Sequence, residues 1–202
     1  MIMLALTGSI GMGKSTVGAM FADAGIPLFD ADAAVHALQG RGGRLVPVIE
    51  ARFPGSTRDG AVDRAALSAR VIGNPTKLAA LEAIVHPAVR QERSRFIADH
   101  AGAAALMFDI PLLFETHGES AFDKVIVVSA PAPLQRERVL ARPGMTEERL
   151  AAIRGKQMPD PQKRGQAHFV VDTGRGLASA EAQLRSIVAA LAGRPGRVLR
   201  AR

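Results

Sequence analysis

Residues 8–15 read Gly8-Ser9-Ile10-Gly11-Met12-Gly13-Lys14-Ser15, the spacing G-x-x-x-x-G-K-[ST]. That spacing carries a mechanism. Glycines let the backbone turn so that successive N–H groups face the oxygens of a phosphate chain. Lys14 reaches the β- and γ-phosphates, and the Ser15 hydroxyl ligates the Mg²⁺ that travels with the nucleotide. The helix that follows points its positive end at the same anion. The expected nucleotide-binding set is therefore Gly8, Gly11, Met12, Gly13, Lys14, Ser15 and Thr16.

Three carboxylates stand where short apolar runs stop. Asp30 and Asp32 follow Gly25-Ile26-Pro27-Leu28-Phe29, and Asp109 follows Ala104-Ala105-Leu106-Met107-Phe108. In open parallel sheets ligands lie beyond the carboxyl ends of the strands, so all three are candidates to face one crevice with the glycine loop. A carboxylate there can take a proton from an attacking hydroxyl, or hold Mg²⁺ through water. It can equally cap the next helix. Capping or positioning is the favoured reading for Asp30. For Asp32 the residues alone leave catalysis and capping open.

A transferring phosphoryl group also needs cations around it. Arg136, Arg138 and Arg142 come after a fourth apolar run, and Arg149, Arg154, Lys156, Lys163 and Arg164 continue the series. Such a series is either a solvated helix face or a lid whose closure excludes water and brings arginine to the γ-phosphate. The histidines are His36, His86, His100, His117 and His168, and none makes a metal-ligand pair of the type His-x-x-x-His. His86, before Pro87, either touches substrate or caps a break, while His168 is expected in the core. Asn74 is the only asparagine, which excludes guanine recognition through Asn-Lys-x-Asp.

The elements that must hold these residues alternate between strand and helix, the pattern of an α/β fold with a parallel sheet. Met3-Leu4-Ala5-Leu6 suits a buried strand, and Ser15 to Ala24 has helical spacing. Further strands are expected over 25–29, 104–108, 124–128 and 168–171. A closing helix carries Leu177, Ala180, Leu184, Ile187, Val188 and Leu191 on one face. Two stretches interrupt the alternation. Residues 33–102 form a mostly helical excursion with a polar turn at Arg58-Asp59-Gly60 and breaks at Gly73-Asn74-Pro75 and His86-Pro87. Residues 142–165 are polar and basic, with a helix start at Thr146 ahead of Glu147 and Glu148. The expected organisation is a nucleotide-binding core (1–32, 103–141 and 166–192), a helical region (33–102), a lid (142–165) and a basic tail (193–202).

Composition narrows the function classes. The 202 residues include no cysteine, which removes disulfide, thiolate and zinc-thiolate chemistry and agrees with a cytoplasmic location. No stretch approaches a membrane span, and no basic n-region precedes the first apolar run, so no signal peptide is expected. The net charge of +7 invites a nucleic-acid reading, yet Arg194, Arg197, Arg200 and Arg202 supply four of those charges. With no Trp or Tyr, stacking platforms for bases are scarce, and the tail is expected to be a solvated, disordered end.

Beyond the loop, the residues are similar in order to the dephospho-CoA kinase family across nearly the whole chain. Leu6 to Thr16 resembles its opening signature, and Phe29-Asp30-Ala31-Asp32 its Asp-Ala-Asp element. Asp59-Gly60 with Asp63-Arg64, Leu81-Glu82 and His86-Pro87 resemble weaker motifs of its helical region. Asp109-Ile110-Pro111-Leu112-Leu113-Phe114-Glu115 resembles its most distinctive stretch, and Gln135, Arg138, Arg142 and Gln157 its lid region. The resemblance implies a three-layer P-loop kinase core with a CoA-binding helical insert and a short lid. It implies Mg²⁺-dependent transfer of the ATP γ-phosphate to the 3′-hydroxyl of the dephospho-CoA ribose. Under it Asp32 is the general base, Lys14, Arg138 and Arg142 serve the phosphoryl group, and Asp32, His86, Asp109 and Leu112 meet the acceptor. Ser15 holds the metal, with Asp109 a second contact through water. No membrane partner is expected, nucleic acid is a disfavoured partner on composition, and the oligomeric state stays open with a monomer favoured. The family's usual asparagine after the last strand is replaced by Asp172-Thr173-Gly174, and Met12 stands where a small residue is common, at a position expected to contribute mainly its backbone. The alternatives are a P-loop kinase of nucleoside monophosphates or of another small metabolite, and a nucleotide-dependent switch or ATPase.

Overall fold

Apolar runs that must be buried on both faces make the centre of this protein. In the computed structural model, which describes residues 1–193 and Gly196, strands β1 (Ile2–Thr7), β2 (Leu28–Asp30), β5 (Ala105–Asp109), β6 (Lys124–Ser129) and β7 (Phe169–Asp172) form a sheet in the order β2-β5-β1-β6-β7. β1 lies in parallel register between β5 (Leu6 opposite Asp109) and β6 (Thr7 opposite Val127), and β6 pairs in parallel with β7. The architecture is thus the expected α/β fold with five parallel strands. Every residue of β1 and β5 is buried, as a sheet covered on both faces requires. The basic tail expected to be disordered is, apart from Gly193 and Gly196, outside the described residues.

The chain divides into two compact units. The first, residues 1–29 with 100–202, contains the sheet with helices α1 (Lys14–Asp23), α6 (Ala132–Leu140), α7 (Glu147–Arg154), α8 (Asp160–Gln166) and α9 (Leu177–Leu191). On one face of the sheet Ile2, Leu4 and Leu6 pack with Val17 and Phe21 of α1 and with Ala180, Leu184, Ile187 and Leu191 of α9. Phe108 stacks obliquely between Phe29 and Phe122, with centroids 5.8 and 5.6 Å away. Leu177, expected on the buried stripe of α9, is instead the helix's first residue and is 63% exposed. His168 also departs from expectation. It is exposed just before β7, where its Nδ1 accepts the Val125 N–H at 3.1 Å.

The second unit, residues 30–99, contains α2 (Ala31–Gln39), α3 (Val46–Arg52), a hairpin of β3 (Thr57–Arg58) and β4 (Ala61–Val62), α4 (Arg64–Val71) and α5 (Pro75–Asp99). The polar turn at Asp59-Gly60 joins two paired strands, with both residues at positive φ, 52° and 78°, as a tight hairpin turn requires. Its core gathers Leu38, Leu45, Ile49, Phe53, Val62, Leu67, Val71 and Ala88. The break expected at His86-Pro87 does not occur, because α5 runs through Pro87. A proline there costs one backbone bond, but Leu81, Ile84, Val85, Ala88 and Val89 lie against the core on both sides of it, and that burial holds the helix together.

Candidate active site

The loop of residues 8–13 leaves the carboxyl end of β1 and enters α1 at Lys14. Close approach explains Gly8: a Cβ there would lie 2.6 Å from the carbonyl oxygen of Val128 on β6. Gly13, the residue before the helix, adopts left-handed backbone at φ 91°, which favours glycine. Helices α2, α4 and α7 start under capping side chains from Asp30, Asp63 and Thr146. The start of α1 has no capping side chain and no acid in its first turn. Its amide N–H groups and positive dipole end are thereby open to an anion. Ser15 and Thr16 are exposed beside them.

Lys14 and Asp109 are brought together. The Lys14 ammonium forms an ion pair with Asp109 Oδ1, and Asp109 is only 6% exposed at the end of β5. Asp109 stands beside Leu6 in register, and the following turn is tied to β1 by Ile110 N–H to Leu6 O (2.9 Å) and Thr7 Oγ1–H to Pro111 O (3.3 Å). The carboxylate and the loop therefore share one end of the sheet.

The cations divide into four environments. Arg138 of α6 donates to Thr173 Oγ1 at 2.9 Å and to Thr173 O at 3.0 Å, so it is anchored to the turn after β7. Arg136 pairs with Glu147 of α7. Arg142 is exposed beyond the end of α6, and its guanidinium makes no hydrogen bond or ion pair among the described residues. Lys163 belongs to neither a solvated face nor a free lid surface: it is 0% exposed, with Nζ 2.8 Å from Glu115 Oε1. Burial alone would raise the Glu115 carboxyl, but Lys163 and the Met158 N–H (2.8 Å) together hold it below its ordinary value.

Asp32 and His86 belong to the second unit. Asp30 caps α2 through its carboxylate, which accepts the Ala33 N–H at 2.9 Å. Asp32 is left exposed in the first turn, without a hydrogen bond or ion pair among the described residues. His86 is exposed in the middle of α5, and Leu112 is 44% exposed in the turn after β5.

Some residues reveal their part only in three dimensions. Met12 contributes more than backbone: its side chain is buried in the core under the sheet end, and its Sδ receives the Ala130 N–H at 3.1 Å. Thr173, in the segment that replaces the family's asparagine, donates its hydroxyl to Met12 O at 2.7 Å and so supports the loop from below. Asp172 is used locally, accepting the Gly174 N–H at 2.7 Å. In the sequence Asp172 and Thr173 are marked only by their position at the end of a strand, and Met12 by its place in the loop motif. A cleft of about 770 Å³ adjoins the loop, lined among others by Ser9, Met12, Gln135, Arg154, Gln157 and Asp172. Among the described residues no cluster of three or more His, Cys, Asp or Glu could hold a metal, and no helix is long and apolar enough to cross a membrane.

A parallel α/β sheet with this loop at the end of its first strand defines a P-loop protein that binds nucleoside triphosphates. Residues 2–179 match the family model described as Dephospho-CoA kinase. Dephospho-CoA kinase from Mesorhizobium japonicum is 56% identical over 198 residues, 97% of this chain and 100% of that one. The crystal structure of TT1252 from Thermus thermophilus aligns with a TM-score of 0.82 at 34% identity, covering 95% of this chain and 98% of the other. Dephospho-CoA kinase from Campylobacter jejuni shares the fold, with a TM-score of 0.61 at 24% identity over 94% and 96% of the two chains. The chain belongs to the dephospho-CoA kinase family.

Proposed function

We propose that this protein transfers the γ-phosphate of ATP to the 3′-hydroxyl of the dephospho-CoA ribose, giving coenzyme A and ADP. The observation that carries the reading is the open α1 N-terminus with Lys14 held at Asp109 beside it, in a chain of this family. The loop amides of residues 11–16 cradle the triphosphate, and Lys14 exchanges Asp109 for the β- and γ-phosphate oxygens. Asp32 takes the proton of the 3′-hydroxyl as its oxygen bonds to the γ-phosphorus, and the bond to the β–γ bridging oxygen breaks. Its freedom from capping duty, which Asp30 performs, supports that role. Arg142, unengaged, neutralises the charge on the transferring group, and Arg138 holds the turn beneath the loop. Residues 33–102 receive the CoA portion, with His86, Asp109 and Leu112 as acceptor contacts, and residues 142–165 act as the lid.

The residues fit Mg²⁺ carried by the nucleotide rather than by a protein cage. Ser15 offers one exposed hydroxyl, Asp109 offers a carboxylate through water, and the remaining ligands are phosphates and water. When bound, the metal supplies charge neutralisation along the triphosphate. We place the enzyme in the cytoplasm as a monomer, where the lack of cysteine is no handicap. The test is product analysis. ATP and dephospho-CoA should yield a product one phosphoryl group heavier, with the phosphorus coupled to the ribose 3′ proton. Phosphorylation at another position would reject the assignment.

A further inference from the structure

Ile10, inside the phosphate loop, has the two successive peptides that meet at its Cα held by glutamine side chains. Its N–H donates to Gln157 Oε1 at 3.2 Å, and its carbonyl accepts from Gln135 Nε2 at 2.7 Å. The chemistry fixes both amide orientations, because a backbone N–H needs an acceptor and a backbone C=O needs a donor. Gln135 is 3% exposed on α6, and a Cβ on Gly11 would come within 3.0 Å of its carbonyl oxygen, so the loop lies directly on that helix. Gln157 belongs to the 142–165 segment. The next residue, Met158, is tied through its N–H to Glu115, and Glu115 pairs with buried Lys163. The loop's own backbone contributes the turn bond from Met12 N–H to Ser9 O at 3.2 Å.

We propose that Gln135 and Gln157 are positioning residues for ATP, acting through the Ser9–Ile10 and Ile10–Gly11 peptides to aim the amides of the phosphate loop. This rests on the kinase reading above, and it adds a link from the basic segment to the nucleotide cradle. Gly11 follows Ile10 at φ 77°, so rotation of the Ile10–Gly11 peptide would swing the amides that follow. A cradle assembled before ATP arrives binds without an ordering cost.

The polarity of the grip supplies the test. Gln157→Glu and Gln135→Glu each put one negative charge against the backbone of the same residue, Ile10. At pH 8.5 an ionised carboxylate at 157 still accepts the Ile10 N–H, whereas one at 135 cannot donate to the Ile10 carbonyl. ATP affinity, titrated without acceptor, should stay within about threefold of wild type for Gln157→Glu. It should weaken by about tenfold or more for Gln135→Glu, and by about three- to tenfold for Gln157→Met, which keeps the volume and loses the bond. KM for ATP should rise in parallel, with KM for dephospho-CoA unchanged. Equal affinities in the two Glu variants, or wild-type affinity in Gln157→Met, would overturn the proposal. Should Gln135→Glu not fold, Gln157→Glu and Gln157→Met decide alone, compared at matched Tm. Because ATP binding is read without acceptor, failure here is distinct from failure of wild-type enzyme to phosphorylate dephospho-CoA.

Discussion

Asp32 and Arg142 share a property: among the described residues neither side chain makes a hydrogen bond or ion pair. If Asp32 is the base, Asp32→Asn should lower kcat by about 10²- to 10⁴-fold while ATP affinity stays near wild type. Near-wild-type turnover in that variant would remove the role. Arg142→Ala should lower kcat by roughly 10³-fold or more with Tm unchanged. Arg138→Ala should behave differently, because it strips the guanidinium from Thr173 and its carbonyl. A loss of about 1–3 kcal/mol in stability should accompany its loss of activity, read as a lower denaturation midpoint. Equal Tm in the two arginine variants would contradict this division.

Between elements, the Glu115–Lys163 pair fastens α8 to the turn segment that follows β5, and it is where pH should act. The folded Glu115 carboxyl lies below its ordinary value of 4.5. Its contribution is complete above that value and lost as pH falls through the lower folded value. Glu115→Gln should therefore lower stability at pH 7, where Lys163 is left buried and unpaired, and flatten the decline of stability below about pH 4.5, measured by urea midpoints across pH. A parallel shift of the whole profile would contradict the assignment. Elements of this kind were only partly legible in the sequence. The strands announced themselves as apolar runs, and Thr146 and Asp30 as caps, because those signals are local. Lys163 could not be told from its exposed neighbours, since its partner is distant in the chain. Pro87 looked like a break because the burial that carries α5 through it comes from other helices. The grip on Ile10 was equally hidden. Gln135 and Gln157 are visible as residues, but their shared partner exists only once the loop is folded.

At the scale of the whole molecule, the residues proposed to act on the two substrates are drawn from two compact units, with Lys14, Asp109 and Arg142 in the first and Asp32 in the second. The donor side was written in one contiguous motif, whereas the acceptor side was legible only through ordered resemblance to a family. The direct measurement is ADP release from ATP and Mg²⁺ across a panel of dephospho-CoA, AMP, CMP and shikimate. Dephospho-CoA should give the highest kcat/KM by a wide margin, with slow release when no acceptor is present. Preference for AMP, CMP or shikimate, or equal release without acceptor, would contradict it.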